Sequence, residues 1–569
     1  MFHGDSGLLA LEYDRFALID KGAGKGNHAG EQWPGNGTQQ LMYDYIIVGG
    51  GSAGCVLAAR LTEMPDARVL MLEAGPRDTD PYIHMPVGFF KMTGGPLTWG
   101  YQTVPMKHAN NRVTVYPQAR VLGGGSSINA EVFTRGCPED YDGWAGELGC
   151  TGWSAADLKP YFVKSEDNSR LGGDMHGIGG PLAVSDNPNP NRMSTAFVQG
   201  CMELGMPYNP DFNSGTQAGC GLYQTFTRNG RRSSAAVGYL RPVLSRKNLT
   251  VKTGILVTRL IIEKGRATGV EYREHGQMTC AEAASEVIVT AGAIGSPKLL
   301  MLSGIGPAAH LKAKGVPVLH DLVGVGQNLH DHFSTDITWQ LNGPYSYDKY
   351  KKLHWQALAG LQYLMFRTGP VASNIVEAGG FWWNDRAEKT PDLQFHFLAG
   401  AGVEEGVGTV PGGNGATCNV YQTRPKSRGS VTLRSNDPAA APDVDPNSFA
   451  EPADLDCHIG GIKLVQEIGR ARPFSRFVTA EHFPGTGVTS RADYEAAARA
   501  NARSSYHPVG TCKMGTDDLA VVDLALRVRG IERLRVCDSS TMPRVVSSNT
   551  NAPTIAMAEK ASDLIRGNR

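Results

Sequence analysis

A glycine-rich turn between a strand and a helix is the feature that most constrains this chain. Residues 45–48 (YIIV) form a short apolar run, residues 49–54 (GGGSAG) follow at once, and residues 52–63 have the apolar spacing of a helix. A second apolar run, residues 69–72, ends at Glu73. A strand, a helix and a strand within about 30 residues favour parallel pairing in an α/β sheet.

The spacing of these glycines fits the GxGxxG pattern of dinucleotide-binding turns. Gly49 permits the tight turn, Gly51 lets the backbone approach a pyrophosphate, and Gly54 lets the helix pack closely on the strand. Glu73 can accept hydrogen bonds from ribose hydroxyls and would repel a 2′-phosphate, which argues against NADP and leaves NAD and FAD open. The predicted dinucleotide-binding residues of this unit are Gly49, Gly51, Ser52, Ala53, Gly54, Glu73 and Ala74.

Later segments predict the organisation of the rest of the chain. Residues 286–290 and 534–537 resemble the first two strands, whereas residues 391–398 alternate between polar and apolar as a half-exposed strand does. Residues 353–366 have the pattern of an amphipathic helix. We therefore predict a Rossmann-like nucleotide-binding domain, discontinuous in sequence, and a substrate domain built on a mainly antiparallel sheet plus helices. The predicted ranges are 42–165, 240–330 and 505–569 for the first domain, and 166–239 and 331–504 for the second.

Composition argues against several classes of protein. Lys+Arg and Asp+Glu both number 55, so net charge gives no reason to expect nucleic acid or an acidic membrane surface as a partner. The ten cysteines include no CxxC pair, which predicts free thiols in a reducing compartment and no metal site. No apolar stretch approaches the roughly 20 residues of a membrane span. Residues 1–41 are predicted to be a disordered tail without a secretory signal, so the expected location is cytoplasmic, with peripheral membrane association left open.

Further segments carry a resemblance to a known family. These segments are residues 119–129 (ARVLGGGSSIN), 292–306 (GAIGSPKLLMLSGIG), 325–332 (VGQNLHDH), 506–511 (YHPVGT), 538–540 (DSS) and 549–554 (NTNAPT). In this order they resemble the signature segments of the glucose–methanol–choline (GMC) oxidoreductase family, and the likeness extends over about residues 42–567. The resemblance implies FAD as the cofactor and alcohols as the usual hydride donors.

The resemblance also implies a second set of FAD contacts. Residues 123–127 would lie against the flavin, and Asp538 could hydrogen-bond the ribityl chain or a nearby backbone N–H. Pro553 suits the first turn of a helix directed at the pyrimidine edge. Some family members attach FAD through a histidine at the position of Ile128, so we predict that FAD is noncovalent here. The implied contacts are Gly124, Gly125, Ser126, Asn129, Ala130, Val257, Asp538, Thr550, Asn551 and Ala552.

The same segments imply a catalytic pair. An alcohol gives up hydride readily only as its hydroxyl proton leaves, which requires a base of near-neutral pKa beside the flavin. The match of HPVGT to the family's active-site segment implies that His507 is this base. Asn549 matches the family's second active-site position, where its amide would donate to the alcohol oxygen; a helix cap before Pro553 is the alternative. His330 and His332 are predicted to be structural.

Three segments favour one branch of the family. Residues 77–112, 129–141 and 345–374 look most like bacterial FAD-linked L-sorbose dehydrogenases, so the leading predicted substrate is a primary alcohol group of L-sorbose or a related polyol. Aliphatic and aromatic alcohols follow closely. Choline is less favoured, since a quaternary ammonium requires an aromatic cage, although Trp382 and Trp383 leave it open. The predicted electron acceptor is a quinone, a cytochrome or a dye rather than oxygen. An FAD-containing lyase and a non-catalytic flavin-binding protein are the alternatives of a different class.

Overall fold

The computed structural model describes residues 42–403 and 407–567, so the predicted tail at residues 1–41 lies outside the described residues. Strand Met42–Val48 pairs in parallel with Val69–Glu73 on one side and with Gln277–Val289 on the other. The sheet is completed by strands Leu249–Thr253, Leu256–Glu263, Arg266–Glu274 and Leu534–Val536. The predicted α/β fold class is confirmed.

The parallel part of this first sheet is deeply buried, as expected where helices cover such strands. Helix Ser52–Leu61 packs on its first two strands and on the C-terminal helix Asn551–Arg566. An ion pair joins the two helices, with 2.8 Å between Nη2 of Arg60 and Oε1 of the fully buried Glu559. The first helix of the nucleotide-binding unit is therefore fixed by the last helix of the chain.

A second sheet of seven strands is antiparallel throughout. Helix Pro452–Arg470 packs against it and contributes Ile459, Ile462 and Val465 to its apolar core. This arrangement confirms the predicted antiparallel sheet with helices, whereas the residue ranges of the two domains stay a prediction. The strands are Gly219–Leu222, Phe333–Leu341, Val376–Trp382, Leu393–Leu398, Gly415–Gln422, Val478–Phe483 and Arg503–Ser504.

Strand Leu393–Leu398 differs from the half-exposed strand predicted over residues 391–398, because all six of its residues are buried. Phe395 and Phe397 belong to the core of the second sheet, while His396 and Leu398 line a large cleft on the opposite face. The alternation was identified correctly, but the prediction of exposure was wrong because protein rather than water covers the polar face.

Helix Leu353–Phe366 forms at the predicted residues, yet its apolar side chains do not pack on a core. Ala359 and Tyr363 are its only buried residues, and seven large apolar side chains are between 39% and 81% exposed. The prediction of a helix was correct, but the amphipathic interpretation was wrong, because most of its apolar surface faces solvent. Within residues 42–403 and 407–567, no helix has the length and apolar character required to cross a membrane.

The remaining elements connect the two sheets or extend them. All ten cysteines are free thiols, as predicted, and only Cys280 is not fully buried. The other helices are Pro81–His84, Pro86–Lys91, Gly125–Ile128, Pro138–Gly146, Ala155–Ser165, Arg192–Glu203, Ala236–Leu240, Arg241–Val243, Gly292–Leu302, Ala308–Ala313, Tyr347–Lys351, Pro370–Ala372, Pro411–Gly413, Arg472–Ser475, Arg491–Asn501 and Ser539–Thr541. The other strands are Glu166–Asn168, Leu182–Asp186, Gln224–Thr225, Thr227–Arg228, Arg231–Arg232, Ile305–Gly306, His320–Asp321, Ser430–Thr432 and Asp443–Asp445.

A buried ion-pair network begins at Arg135. The preceding residue, Thr134, contacts the candidate active site. Arg135 pairs with Glu166, whose second carboxylate oxygen lies 3.0 Å from Nδ1 of His176. Nε2 of His176 lies 2.9 Å from Oδ2 of Asp211. Burial alone would lower the pKa of His176, but its hydrogen bonds to Asp211 and Glu166 outweigh burial and raise the pKa to about 9. His176 is therefore protonated at neutral pH and holds the two carboxylates together.

The His176→Gln variant is expected to be destabilised most below neutral pH. A group whose pKa is higher in the folded chain contributes its full stability below the unfolded pKa of about 6.5 and loses it as the pH rises through about 9. We expect the free energy of unfolding to fall by about 1–3 kcal/mol at pH 6 and by less at pH 9.5. Denaturant unfolding at the two pH values measures the difference, and an equal loss at both would contradict a protonated His176.

Candidate active site

The glycine-rich turn leaves open space at one of its three pattern glycines. Gly49 has a φ of 112°, in the region that favours glycine, and a Cβ on Gly54 would lie 2.0 Å from the carbonyl oxygen of Gly49. Gly51 has a φ of −75°, and a Cβ there would meet no atom closer than 3.8 Å. The protein's own packing requires glycine at positions 49 and 54 but not at 51, where the free space faces the cleft.

A second glycine segment contacts the first turn backbone to backbone. The N–H of Gly123 donates to the carbonyl of Gly50 at 2.7 Å. Gly124 has a φ of 54°, and a Cβ on it would lie 2.7 Å from the Cα of Gly51. At Gly125 a Cβ would meet nothing within 4 Å. The two glycine segments thus form one wall of the cleft without side chains.

Among the described residues, three helices of ten or more residues begin at this cleft, and none of them has a capping side chain at its N-cap residue or an acidic residue in its first turn. They are Ser52–Leu61, Gly292–Leu302 and Asn551–Arg566. Such helix ends present N–H donors and a positive dipole, which favour a bound anion, although the first N–H of Gly292–Leu302 already donates to Asp538. Oγ of Ser52 donates to Oδ1 of Asn551 at 2.8 Å, which connects two of the ends. Glycine backbone and uncapped helix ends together fit the pyrophosphate of a dinucleotide.

Two buried carboxylates hold the backbone around the cleft. Glu73 accepts two backbone N–H groups at 2.7 Å, one of them from Gly50. Asp538 accepts the backbone N–H groups of Gly292 and Ser540 at 2.9 and 2.8 Å. Of the two roles predicted for Asp538, the structure contains the backbone contact. Because each carboxylate oxygen has two lone pairs, Glu73 can still accept a ribose hydroxyl.

Most of the residues predicted from sequence line this one cleft, which has a volume of about 340 Å³. Three do not: Gly54 packs on Gly49, Oγ of Ser126 donates to the carbonyl of Gly123, and Ala552 is buried within the last helix. These three support the walls of the cleft. The predicted residues that line it are Gly49, Gly51, Ser52, Ala53, Glu73, Ala74, Gly124, Gly125, Asn129, Ala130, Val257, His507, Asp538, Asn549, Thr550 and Asn551.

His507 and Asn549, the predicted catalytic pair, are hydrogen-bonded to each other in the cleft. Nε2 of His507 lies 3.1 Å from Nδ2 of Asn549, and Nδ1 of His507 lies 3.0 Å from Nδ1 of His332. Oδ1 of Asn549 accepts from Oγ1 of Thr134 at 2.9 Å and from Nε2 of Gln394 at 3.4 Å. These two bonds fix the amide so that its NH₂ group is directed at His507.

This chain of hydrogen bonds assigns the tautomer of His507. Nε2 of His332 lies 2.9 Å from the carbonyl oxygen of Thr423, which can only accept, so that nitrogen carries the proton. Burial lowers the pKa of His332 to about 4, so the ring is neutral and its Nδ1 accepts the Nδ1–H of His507. Nε2 of His507 is then the unprotonated nitrogen and accepts from Asn549. His507 has the lone pair of a base on the side of Asn549.

The surroundings of His507 keep it neutral and in place. Burial, together with the nearby His332 and His396, lowers the pKa of His507 well below its usual value. The backbone N–H of His507 donates to Asp331 at 2.8 Å, and the same carboxylate accepts from Tyr116 at 2.7 Å. The imidazole is therefore neutral and fixed in orientation, but its lowered pKa differs from the near-neutral pKa expected of the base, because burial and the neighbouring histidines disfavour the protonated ring.

Several residues of the site were not predicted from sequence. His332 was predicted to be structural, but it hydrogen-bonds His507 directly; His330 does have a structural role, since its Nε2 accepts the N–H of Val545 at 2.9 Å. Gln394 and His396 stand at the polar positions of the alternating run at 391–398, which was the available signal. No local pattern indicates Thr134.

Glu131 is a cleft residue that the sequence does not indicate. Its side chain is fully buried, and among the described residues neither carboxylate oxygen has a hydrogen-bond partner. Oε1 lies 3.2 Å from Nε of Arg232, which is also fully buried. Burial raises the pKa of Glu131 to about 7, although Arg232 opposes this shift. The charge of one wall of the cleft therefore changes near neutral pH.

The fold and this cleft define a dinucleotide-binding protein in which a buried histidine and an asparagine lie together. Comparison with known proteins identifies the family. Two family models, both described as GMC oxidoreductase, match residues 43–334 and 425–558. The chain belongs to the GMC oxidoreductases, and it is an FAD-dependent enzyme that acts on alcohols.

The similarity to the following relatives extends over nearly the whole chain. An alcohol dehydrogenase (acceptor) of Pseudomonas putida is 42% identical over 530 residues, covering 92% of this chain and 96% of the relative. An oxygen-dependent choline dehydrogenase of Sinorhizobium fredii is also 42% identical, covering 93% and 96%. Human mitochondrial choline dehydrogenase is 41% identical, covering 92% and 90%. These relatives share the family but differ in named substrate.

Solved structures have the same fold. Pyridoxine 4-oxidase from Mesorbium loti is 31% identical with a TM-score of 0.83, covering 92% of this chain and 98% of that one. A formate oxidase of Aspergillus oryzae, studied for the effect of a mutation on FAD modification, is 27% identical with a TM-score of 0.88, covering 94% and 99%. The fold described above is thus that of FAD-containing GMC enzymes.

Proposed function

We propose that this protein oxidises the primary hydroxyl of an alcohol with an apolar body, using His507 as the base. The observation that carries the proposal is the lone pair on Nε2 of a buried, neutral His507, fixed beside the donating amide of Asn549 in the cleft that takes the dinucleotide. FAD, when bound, supplies the acceptor for the hydride of the carbinol carbon.

The chain's own groups supply the proton transfer. Nε2 of His507 takes the hydroxyl proton, and the amide N–H of Asn549 donates to the hydroxyl oxygen and orients the carbinol carbon. Nδ1–H of His507 remains bonded to His332, so the imidazolium that forms keeps a fixed orientation. His507 is only 8% exposed, which keeps competing water away from the proton.

The His332→Phe variant tests this arrangement, because it removes the acceptor for Nδ1–H of His507. We expect flavin reduction by an alcohol to slow about 10–100-fold, the loss typical when the hydrogen-bond partner that orients a metal-ligating histidine is removed. FAD content should be unchanged. Anaerobic stopped-flow absorbance measures the rate, and a rate within twofold of the unaltered protein would contradict a role for His332 in orienting the base.

The strand that carries Gln394 supports an apolar substrate body. Gln394, His396 and Leu398 point to one face of the strand, with about 7 Å between successive members. At one end of this row, Gln394 contacts Asn549. At the other end, Leu398 pairs with Val376 of the neighbouring strand, and Leu398 and Val376 both line the cleft. A hydroxyl at the His507 end would therefore place the remainder of a substrate against apolar side chains.

The predicted L-sorbose substrate finds no support in the relatives, whose names state an alcohol or choline. Choline would require an aromatic cage in the cleft. The rings of Trp382 and Trp383 do not line it, and the guanidinium of Arg386 already lies 4.4 and 5.1 Å from their centroids. These observations argue against a cage built on Trp382 and Trp383, whereas Phe89, Trp99 and Tyr101 do line the cleft, so choline is the second candidate substrate.

The experiment is anaerobic titration of the purified flavoprotein with 1-hexanol, benzyl alcohol, L-sorbose and choline. We expect the two apolar alcohols to bleach the flavin fastest. The Leu398→Asn variant should lower kcat/KM for 1-hexanol about tenfold, because a polar amide would then lie against the alkyl chain of the substrate. Ethanol is too short to reach residue 398, so its kcat/KM should not change and serves as the internal control. Faster reduction by L-sorbose or choline than by 1-hexanol would overturn the substrate assignment.

Two further properties belong to the proposal. FAD is held noncovalently, since the position used for attachment by some family members is Ile128, whose side chain lines the cleft and has no nucleophile. Release of free FAD on acid precipitation tests this, and flavin in the pellet would contradict it.

The electron acceptor is a quinone, a cytochrome or a dye rather than oxygen, which the name of the Pseudomonas putida relative supports. Slow reoxidation of reduced flavin by air is the expected result.

A further inference from the structure

Helix Leu353–Phe366 presents an apolar surface to solvent. Leu353 is 81% exposed, and Leu364 and Phe366 are each 65% exposed. Trp355, Leu358, Leu361 and Met365 are exposed by between 39% and 58%. Scattered apolar side chains are normal on protein surfaces, but so many on one short helix mark an interaction site.

The charges around this helix indicate the chemistry of its partner. The helix contains no Asp or Glu, and the residues at its two ends are basic: Lys349, Lys351, Lys352 and Arg367. Of these four basic residues, only Lys351 forms an ion pair within the described part of the chain, and its partner is the buried Asp348. Basic residues at both ends of the helix can bind anionic lipid head groups, while its exposed leucine, phenylalanine and tryptophan side chains can enter the boundary between head groups and acyl chains.

We propose that helix Leu353–Phe366 docks this protein on a bilayer that contains anionic lipids, with its axis along the membrane surface. Fourteen residues extend about 21 Å, less than the roughly 30 Å of the hydrocarbon core, so the helix lies in the interface rather than across it. A second copy of the chain is a poorer partner. In a two-fold symmetric dimer built through this helix, the basic residues of one copy would face basic residues of the other copy and repel them.

The docked surface lies next to a wall of the flavin cleft. Oη of Tyr363 donates to the carbonyl oxygens of Gly230 at 2.9 Å and of His84 at 3.4 Å. His84 ends the short helix Pro81–His84, and the chain that follows brings Phe89 and Thr93 into the lining of the cleft. Membrane docking would therefore bring the cleft close to lipid, where an apolar alcohol and a quinone dissolve; this last consequence rests on the proposed function.

Sedimentation of the holoprotein with sucrose-loaded vesicles tests the docking directly. We expect it to bind phosphatidylcholine vesicles that contain phosphatidylglycerol, and to bind less in high salt or to pure phosphatidylcholine, because screening weakens the basic contacts. The Leu361→Asp/Leu364→Asp double variant should bind at least about tenfold more weakly. The matched control is Ile178→Asp/Leu319→Asp, which alters two apolar side chains that are 76% and 57% exposed elsewhere on the surface.

The possible outcomes separate this proposal from the proposed function. Equal vesicle binding by the helix variant and the control, or no binding by the unaltered protein, overturns the docking proposal. Light scattering without lipid supplies a second check, since a dimer that dissociates in the helix variant would assign the surface to another copy of the chain and overturn lipid docking. Sedimentation does not depend on turnover, so failure with every alcohol would affect only the proposed function.

Discussion

The His507→Ala variant is expected to bind FAD and to lose flavin reduction by alcohols about 10²–10⁴-fold, the usual contribution of a positioned general base. The imidazole places the lone pair of its Nε2 beside the amide of Asn549, at 3.1 Å from Nδ2. Its loss removes the acceptor for the hydroxyl proton but leaves the glycine turns and helix ends that hold the dinucleotide. Anaerobic stopped-flow bleaching gives the rate, and the absorbance of the purified protein gives the FAD content.

A second buried histidine provides the matched control. His458 is 2% exposed, its pKa is lowered to about 3 by burial, and its Nε2 lies 2.8 Å from Oγ1 of Thr335, outside the cleft. The His458→Asn variant is expected to lose some stability and to keep its rate of flavin reduction. If both variants were equally slow, the loss at position 507 would reflect damaged packing. Undiminished bleaching in His507→Ala would refute the assignment of the base.

The Gly51→Ala variant is expected to fold normally and to be purified with little or no FAD. In the protein alone a Cβ at position 51 meets no atom closer than 3.8 Å, so only a ligand that lies against the backbone can exclude it. A steric conflict of about 1–3 kcal/mol corresponds to roughly 5–150-fold weaker binding. Isothermal titration of the apoprotein with FAD measures the affinity.

Two other glycines make this result specific. Gly54→Ala would place a Cβ 2.0 Å from the carbonyl of Gly49, so that variant is expected to lose both folding stability and FAD. Gly146→Ala places its Cβ where nothing lies within 4 Å and should change neither. Normal FAD affinity in Gly51→Ala would show that the cofactor does not approach this turn.

The sequence indicated the candidate reacting groups but not the groups that hold them in place. Gly49, Gly51 and Gly54 were predictable because a tight turn next to a pyrophosphate restricts both residue type and spacing. His507 and Asn549 were indicated by their motifs. The roles of His332 and Thr134 could not be predicted, because they depend on contacts between segments 175 and 415 residues apart.

Burial was the other property that the sequence could not give. An alternating run and an apolar helix look alike whether water or protein covers them. Strand Leu393–Leu398 is buried because protein covers both of its faces, while helix Leu353–Phe366 keeps most of its apolar side chains in solvent. Glu131 also has no local signature, since only its surroundings in the folded chain distinguish it from an ordinary surface acid.

The order of strands in the first sheet sets a limit on biosynthesis. The earliest described strand, Met42–Val48, and the last, Leu534–Val536, both pair with Gln277–Val289, and the helix that follows residue 550 supplies one of the cleft's uncapped ends. A ribosome must therefore translate past residue 550 before the flavin site can close. Nascent chains that stop before this helix contain the glycine turn but lack one wall of the cleft, so the site forms only after the domain's distant segments have been made.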